Sequence, residues 1–157
     1  MSRKQPSTFQ FGRCEGKRRV ASFGYSYDYD RRKVEAAAPI PDFLLAARAA
    51  VAAWARRPAD DFVQGLISRY APGAGIGWHR DKPPFGVVAG ISLLAPCTLR
   101  LRREAGPGWD RANLPLEPRS AYLLTGPARG QWEHSIAPQA RLRYSITLRT
   151  LAEGFGG

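Results

Sequence analysis

Short extended runs, each ended by glycine or proline, fill most of the second half of this sequence. Runs of this kind are typical of antiparallel strands that fold into sandwiches, barrels or jelly rolls. The pattern predicts strands over 62–70, 76–79, 87–95, 97–102, 120–124, 131–136 and 141–149, with a Gly/Pro-rich loop at 105–119 and a turn at 126–130. We therefore expect a mainly β fold, a double-stranded β-helix (jelly roll) with one or two supporting helices.

One segment has helical spacing instead. Apolar side chains recur from Phe43 to Trp54 at intervals of three or four residues, and Pro58 ends the pattern. Pro41 suits the start of a helix, because the first turn needs no backbone donor there. The sequence therefore predicts a helix at 42–57 that packs on a sheet.

Length and composition fit one soluble domain. The 157 residues are 44% apolar and 24% charged, as in ordinary globular proteins. We expect a single domain over 1–157, with a loosely ordered arm at 1–17 and the jelly-roll core at 62–151. No run of eighteen apolar residues and no signal peptide is visible, which predicts a cytoplasmic protein without membrane contact. We also expect a monomer. Cys14 and Cys97 form no C-x-x-C pattern, so neither a disulfide framework nor a zinc site is indicated.

The net charge of +11 is the most unusual feature of the composition. Such an excess attracts polyanions, and nucleic acid is the usual partner of a strongly basic domain. An arginine-rich composition can also reflect a GC-rich coding sequence, so the charge alone leaves both explanations open. We expect nucleic acid to bind through a basic surface.

A His-x-Asp string at the end of an extended run is the first sign of chemistry. His79 and Asp81 share one face of a strand, because successive side chains alternate in direction. The other histidine of the chain, His134, lies in a second short strand after a turn. Two histidines and one carboxylate are the ligand set of the facial triad that holds non-haem Fe(II) and leaves positions open.

An alternating strand follows His134 and carries arginines on one face. Arg143, Ser145, Thr147 and Arg149 point one way if the segment is extended, and apolar residues point the other way. Guanidinium groups bind carboxylates through two parallel hydrogen bonds, so this face suits a dicarboxylate.

Aromatic residues alternate near the N-terminus. Phe23, Tyr25, Tyr27 and Tyr29 lie on one face if this segment is extended. Such a ladder in a basic chain can stack nucleic-acid bases, or it can form one buried face of a sheet.

These motifs, in this order, resemble the AlkB-like Fe(II)- and 2-oxoglutarate-dependent dioxygenases. The resemblance covers about residues 17–151 and rests on Arg69-Tyr70-Ala71-Pro72-Gly73, His79-Arg80-Asp81, Pro118-Arg119-Ser120 through Thr125-Gly126, Glu133-His134-Ser135-Ile136 and Arg143-Tyr144-Ser145-Ile146-Thr147-Leu148-Arg149. It implies that iron is held by His79, Asp81 and His134, and that 2-oxoglutarate is bound by Tyr70, Arg143, Ser145 and Arg149. It also implies a substrate lid at 18–36, with Phe23, Tyr25 and Tyr27 as candidate stacking residues.

The resemblance implies oxidative demethylation or dealkylation. In that reaction O2 and 2-oxoglutarate are consumed, succinate and CO2 are formed, and a hydroxylated N-alkyl group leaves as an aldehyde. Alkylated DNA or RNA is the substrate class that the charge favours. Ser145 stands where the family often has Asn, and Pro83 stands where nucleic-acid repair members tend to have a second acidic residue. A protein or small-molecule substrate, or an inactive jelly roll that only binds nucleic acid, therefore remains open.

Overall fold

The structure is a computed structural model that describes residues 7–8, 18–28, 31 and 33–154. Within these residues the chain forms two α-helices, α1 (Asp42–Ala55) and α2 (Gly126–Gly130), and a 3-10 turn, Ala59–Asp61. The strands are β1 (Ser7–Thr8), β2 (Arg18–Asp28), β3 (Lys33–Ala36), β4 (Phe62–Tyr70), β5 (Ile76–His79), β6 (Phe85–Leu93), β7 (Cys97–Ala105), β8 (Gly108–Leu116), β9 (Ala121–Leu124), β10 (Glu133–Ile136) and β11 (Arg143–Leu151).

The strands form a major and a minor sheet. The major sheet has the order β1-β2-β4-β11-β6-β9, with β3 paired to β2, and the minor sheet has the order β5-β10-β7-β8. From β4 to β11 the chain alternates between the two sheets, except at the β7–β8 hairpin, and every strand pair is antiparallel. This is a double-stranded β-helix, so the predicted fold is confirmed.

Two apolar cores lie on opposite faces of the major sheet. On one face, α1 buries Val51 and Ala52 against Phe62 and Leu148, both fully enclosed. On the other face, between the sheets, a second core packs around Tyr70, Ala74, Cys97, Leu99, Leu116 and Ile136. The candidate site residues lie on this second face, so α1 supports the sheet from behind.

The helix α1 begins and ends close to its predicted limits. Pro41 precedes it with an extended backbone, and Arg56 ends it in the left-handed conformation with φ of 56°. None of the helices among the described residues is long and apolar enough to cross a membrane.

Two segments differ in type from the sequence prediction, and the strands predicted at 87–95 and 141–149 lie at 85–93 and 143–151. The segment 105–119, predicted as a loop, contains β8, which pairs along its whole length with β7. All residues of β8 from 108 to 115 are exposed, so no alternating apolar pattern marked it as a strand. The turn predicted at 126–130 is instead the short helix α2, with Pro127 in its first turn.

The N-terminal hairpin joins the major sheet. Residues 18–24 of β2 pair with β4, and residues 25–28 pair with β3. At the change of partner, Gly24 has φ of +80°, and a Cβ there would overlap the backbone oxygen of Val63. Of the predicted arm at 1–17, the structure describes β1, which pairs with β2. The role of 18–36 as a substrate lid stays a prediction.

Candidate active site

The major sheet aligns several predicted binding residues on its inner face. Tyr70 on β4 lies opposite Arg18 on β2 and opposite Arg143 on β11. Residues directly opposite each other on neighbouring strands share a face. In the same way, Ser145 lies opposite Ser68, and Arg149 lies opposite Gln64.

The minor sheet places the two histidines side by side. His134 on β10 is in register with His79 on β5, and their ring centroids are 4.2 Å apart. Asp81 lies two residues beyond the end of β5, and its Oδ1 is 3.8 Å from Nε2 of His79 and 3.6 Å from Nε2 of His134. One candidate ligand atom from each of the three residues lies within 4.8 Å of the others. The structure thus brings the predicted iron ligands together.

A backbone hydrogen bond orients His79. Its Nδ1 lies 2.8 Å from the carbonyl oxygen of Gly77, which requires that Nδ1 carry the proton and donate it. Nε2, the nitrogen nearer Asp81, then carries the lone pair. A carbonyl partner on the second ring nitrogen is the usual arrangement of a metal-binding histidine.

The electrostatics of the cluster favour the protonation states that bind a cation. Burial lowers the pKa of His79, and burial together with the neighbouring His79 lowers the pKa of His134 to about 4. Burial acts to raise the pKa of Asp81, but Arg149 and the two histidines hold that pKa well below its usual range. At neutral pH the site therefore offers two neutral imidazoles and one carboxylate, the forms that bind a metal.

Arg149 is bound to the cluster by its guanidinium group. Its Nε donates to Oδ2 of Asp81 at 2.5 Å, and its Nη1 donates to Oε1 of Gln64 at 2.9 Å. Gln64 is itself buried and donates to the hydroxyl of Ser22 on β2 at 3.3 Å. Sequence reasoning did not identify Gln64, although it shares the strand face of Ser68 and Tyr70 and that alternation is visible in the sequence.

Arg143 lies deep between the sheets, with 1% of its surface exposed. Its Nε and Nη2 donate to the hydroxyl of Ser92 at 3.2 and 3.0 Å, and its guanidinium lies 5.2 Å from the ring centre of Tyr70. Its Nη1 is buried and has no hydrogen-bond partner among the described residues. A buried donor without an acceptor is costly, so this atom fits a bound carboxylate.

One cavity connects these groups. Its polar wall contains all seven residues predicted to bind iron or 2-oxoglutarate, which are Tyr70, His79, Asp81, His134, Arg143, Ser145 and Arg149. The same cavity is lined by Tyr122 of β9, which sequence reasoning missed. Burial raises the pKa of the Tyr122 phenol well above its usual value, so it is a neutral donor. The ligand roles of all these residues stay predictions.

Two of the three predicted stacking residues, Phe23 and Tyr25, lie outside this cavity. Phe23 is opposite Gly65, on the face of the major sheet that packs against Leu44 of α1, and neither Phe23 nor Tyr25 lines the cavity. The side chain of Tyr27 lies outside the described part of the structure. Phe23 therefore faces away from the candidate metal ligands, and the stacking roles of the three residues stay predictions.

Arginine and tryptophan side chains stack on the outer face of the minor sheet. The guanidinium of Arg102 lies between the rings of Trp78 and Trp109, 4.4 and 4.2 Å from their centres, and Arg100 lies 5.1 Å from Trp78. Trp109 is 40% exposed. Arg102 is half-buried and its Nε also donates to Oε2 of Glu133 at 2.8 Å, so Trp109 is the member of the stack most open to solvent.

Known proteins share this sequence pattern. The family model described as the 2OG-Fe(II) oxygenase superfamily matches residues 1–149. The chain is 38% identical over 92 residues to "Alpha-ketoglutarate-dependent dioxygenase alkB homolog 7, mitochondrial" of Bos taurus, which covers 50% of this chain and 41% of that protein. It is 26% identical over 144 residues to "Alkylated DNA repair protein ALKBH8 homolog" of Arabidopsis thaliana, which covers 76% of this chain and 42% of that protein. The chain thus spans less than half the length of these curated relatives.

Proposed function

We propose, because this chain belongs to the 2OG-Fe(II) oxygenase superfamily, that it is an Fe(II)- and 2-oxoglutarate-dependent dioxygenase that removes alkyl groups from nucleic acid. The resemblance to AlkB-like proteins seen in the sequence is confirmed by the curated relatives. The single observation that carries the proposed activity is the meeting of His79, Asp81 and His134 in a cavity that Arg143 and Arg149 also line.

The residues present fit both an iron ion and a 2-oxoacid. Two imidazoles and one carboxylate suit Fe(II), and three donors leave coordination positions for other ligands. The buried Nη1 of Arg143 fits a carboxylate oxygen. When bound, the iron would couple the oxidative decarboxylation of 2-oxoglutarate by O2 to hydroxylation of a C–H bond.

The protein's own residues hold and orient the reactants. Arg143, fixed by Ser92, would bind one carboxylate of 2-oxoglutarate, with Tyr70 and Ser145 beside it. Arg149 would hold Asp81 ionised through Nε, which leaves Nη2 for the co-substrate. The apolar side chains of Leu66, Val88 and Leu99 line the same cavity and would exclude water.

Nucleic acid is the substrate class that we favour. The net charge is +11, and the stack of Trp78, Arg102 and the exposed Trp109 combines basic side chains with aromatic rings, the two features that bind single strands. The name of the Arabidopsis relative also refers to alkylated DNA. Hydroxylation of an N-alkyl carbon would give a hemiaminal that breaks down to an aldehyde and the dealkylated base. The cytoplasm and a monomeric state are the compartment and assembly expected from the sequence, and both stay predictions.

Succinate release against a panel of substrates tests the proposal. The panel contains N-methylated single-stranded DNA, N-methylated RNA, methylated peptides and their unmethylated forms. We expect methylated nucleic acid to stimulate release and formaldehyde to form with it in equal amounts. We expect Asp81→Asn to abolish 2-oxoglutarate turnover, because the ligand charge is lost, whereas the matched control Asp60→Asn, exposed on the 3-10 turn before β4, keeps wild-type activity.

Each other outcome has a definite meaning. Wild-type turnover in Asp81→Asn would end the metal assignment. Stimulation by methylated peptides alone would move the same chemistry to a protein substrate, which Pro83 leaves open. Binding of nucleic acid without any use of 2-oxoglutarate would leave only a binding module.

A further inference from the structure

Arg129, on the short helix α2, donates three hydrogen bonds to the segment that follows Asp81. Its Nε donates to the carbonyl oxygen of Gly86 at 2.9 Å, and its Nη2 donates to the carbonyl oxygens of Lys82 and Phe85 at 2.8 and 2.6 Å. The three acceptors lie within five consecutive residues, and the first is next to Asp81 in the chain. One half-buried guanidinium thus binds three backbone carbonyls of this segment.

The segment has few donors of its own to fix its shape. Pro83 and Pro84 have no backbone N–H, so neither can donate a hydrogen bond within the loop. One turn bond, from the N–H of Phe85 to the carbonyl of Lys82, closes it. A planar guanidinium presents five donors in a fixed arrangement, and an ammonium group cannot reproduce that arrangement.

A fourth hydrogen bond links the same two segments, with the donor on the opposite segment. Arg80 lies between His79 and Asp81, and its Nη1 donates to the carbonyl oxygen of Gly130 at 3.0 Å. Gly130 is the last residue of α2, and β10 begins three residues later with His134 as its second residue. The segment with two candidate ligands and the segment with the third are therefore connected from both sides.

We propose that Arg129 is a positioning residue that holds the His79–Asp81 segment against α2, so that Asp81 and His134 stay at the separation a single metal ion requires. Arg129 lies outside the three ligands and acts through the backbone that carries Asp81. The inference rests on the proposed metal site. It names a determinant of metal affinity that lies outside the iron and 2-oxoglutarate residues.

Mn(II) binding, measured by calorimetry without co-substrate, tests this role. Loss of an outer partner of a metal ligand typically weakens metal binding 10- to 100-fold. We expect Arg129→Ala to raise the Kd for Mn(II) by a factor in that range and Arg129→Lys to fall between the alanine variant and the wild type. Guanidinium ion at millimolar concentration is expected to restore part of the affinity of Arg129→Ala and to leave the wild type unchanged.

Arg48→Ala is the matched control. Arg48 is also a partly buried arginine that donates to a backbone carbonyl, that of Phe62, but it lies on α1 behind the major sheet. We expect this variant to lower the unfolding temperature while the Kd for Mn(II) stays at the wild-type value. Equal loss of Mn(II) affinity in Arg48→Ala would show that general destabilisation is the cause and would overturn the inference.

The remaining outcomes separate this inference from the proposed function. A wild-type protein that binds no Mn(II) overturns the metal assignment and the role of Arg129 together. A wild type that binds Mn(II), beside an Arg129→Ala variant of equal affinity, overturns the role of Arg129 alone. Should Arg129→Ala not fold, Arg129→Lys decides, because wild-type affinity in that variant contradicts the need for a planar guanidinium.

Discussion

The hydrogen bond from Arg149 to Asp81 gives the two carboxylate oxygens of Asp81 different neighbours. Nε of Arg149 donates to Oδ2, while Oδ1 faces Nε2 of His79 and Nε2 of His134 at 3.8 and 3.6 Å. The guanidinium thus fixes which oxygen remains for a metal ion. It also holds the pKa of Asp81 low in a buried place that would otherwise raise it.

Arg149→Gln should therefore weaken Mn(II) binding and make it more sensitive to acid. Without the guanidinium, burial is no longer opposed and the pKa of Asp81 rises, so protons compete with the metal at a higher pH. We expect about a tenfold rise in Kd at pH 7 and a steeper loss of affinity between pH 7 and pH 5. Arg103→Gln, which loses the exposed ion pair with Asp110, is the control. An unchanged pH profile in Arg149→Gln would contradict this role.

The metal-free protein should lose stability as the pH falls from 7 to 4. Burial keeps the pKa of His134 at about 4, whereas an unfolded histidine has a pKa of about 6.5. In that window the unfolded state binds a proton that the folded state does not, so the free energy of unfolding decreases with falling pH. The loss from His134 is on the order of 3 kcal/mol when the pH reaches the folded pKa. His79 acts in the same direction, because its pKa is also lowered.

Urea unfolding in EDTA at several pH values measures this effect. The chain has two histidines in all, so replacing both by glutamine should flatten the dependence between pH 7 and pH 5. If the double variant keeps the wild-type slope, other groups cause the loss of stability.

The sequence predicts the strands in which apolar and polar residues alternate, and it misses the strand β8, in which they do not. The face of β11 that carries Arg143 and Arg149 could be read from its alternation, because its other face is apolar and packs under α1. β8 has solvent on both faces between 108 and 115, so its side chains carry no such signal. Its pairing with β7 comes from the hairpin at Gly106, which has φ of +57°.

The residues that sequence reasoning missed act through tertiary contacts. Gln64, Tyr122 and Arg129 belong to three different elements, and their partners lie at least 30 positions away in the chain. Conversely, the aromatic alternation at Phe23 was visible, but the pairing of β2 with β4 turns Phe23 toward α1. Alternation identifies the residues that share a face, and only the sheet register decides what that face meets.

Gly90→Ala should disturb the cavity through Tyr122. Gly90 on β6 lies opposite Tyr122 on β9, and a Cβ at this position would overlap the phenol ring. We expect a loss of about 1–3 kcal/mol in the free energy of unfolding, as for other overpacked sites, and weaker binding of 2-oxoglutarate to the Mn(II)-loaded protein. Gly108→Ala is the control, because a Cβ there meets nothing within 4 Å. Unchanged stability in Gly90→Ala would show that the ring moves aside without cost.

Ser92→Ala should weaken 2-oxoglutarate binding and leave Mn(II) binding unchanged. The hydroxyl of Ser92 accepts hydrogen bonds from Nε and Nη2 of Arg143 at 3.2 and 3.0 Å, and both side chains are fully buried. Without this acceptor the guanidinium loses the contact that aims Nη1 into the cavity. Each lost hydrogen bond to a charged group costs about 1.5–3 kcal/mol, so the Kd for 2-oxoglutarate should rise at least tenfold.

Mn(II) binding is the control measurement for the Ser92→Ala prediction. Arg143 touches none of the three candidate metal ligands in the described contacts, so calorimetry with Mn(II) alone should give the wild-type Kd for Ser92→Ala. Ser120→Ala removes a hydroxyl that donates to the carbonyl of Glu117 at the surface, and it should change neither constant. If Ser92→Ala lost Mn(II) and 2-oxoglutarate affinity to the same extent, Ser92 would support the whole site. A carboxylate-binding role for Arg143 requires instead that the affinity for 2-oxoglutarate falls while the affinity for Mn(II) does not.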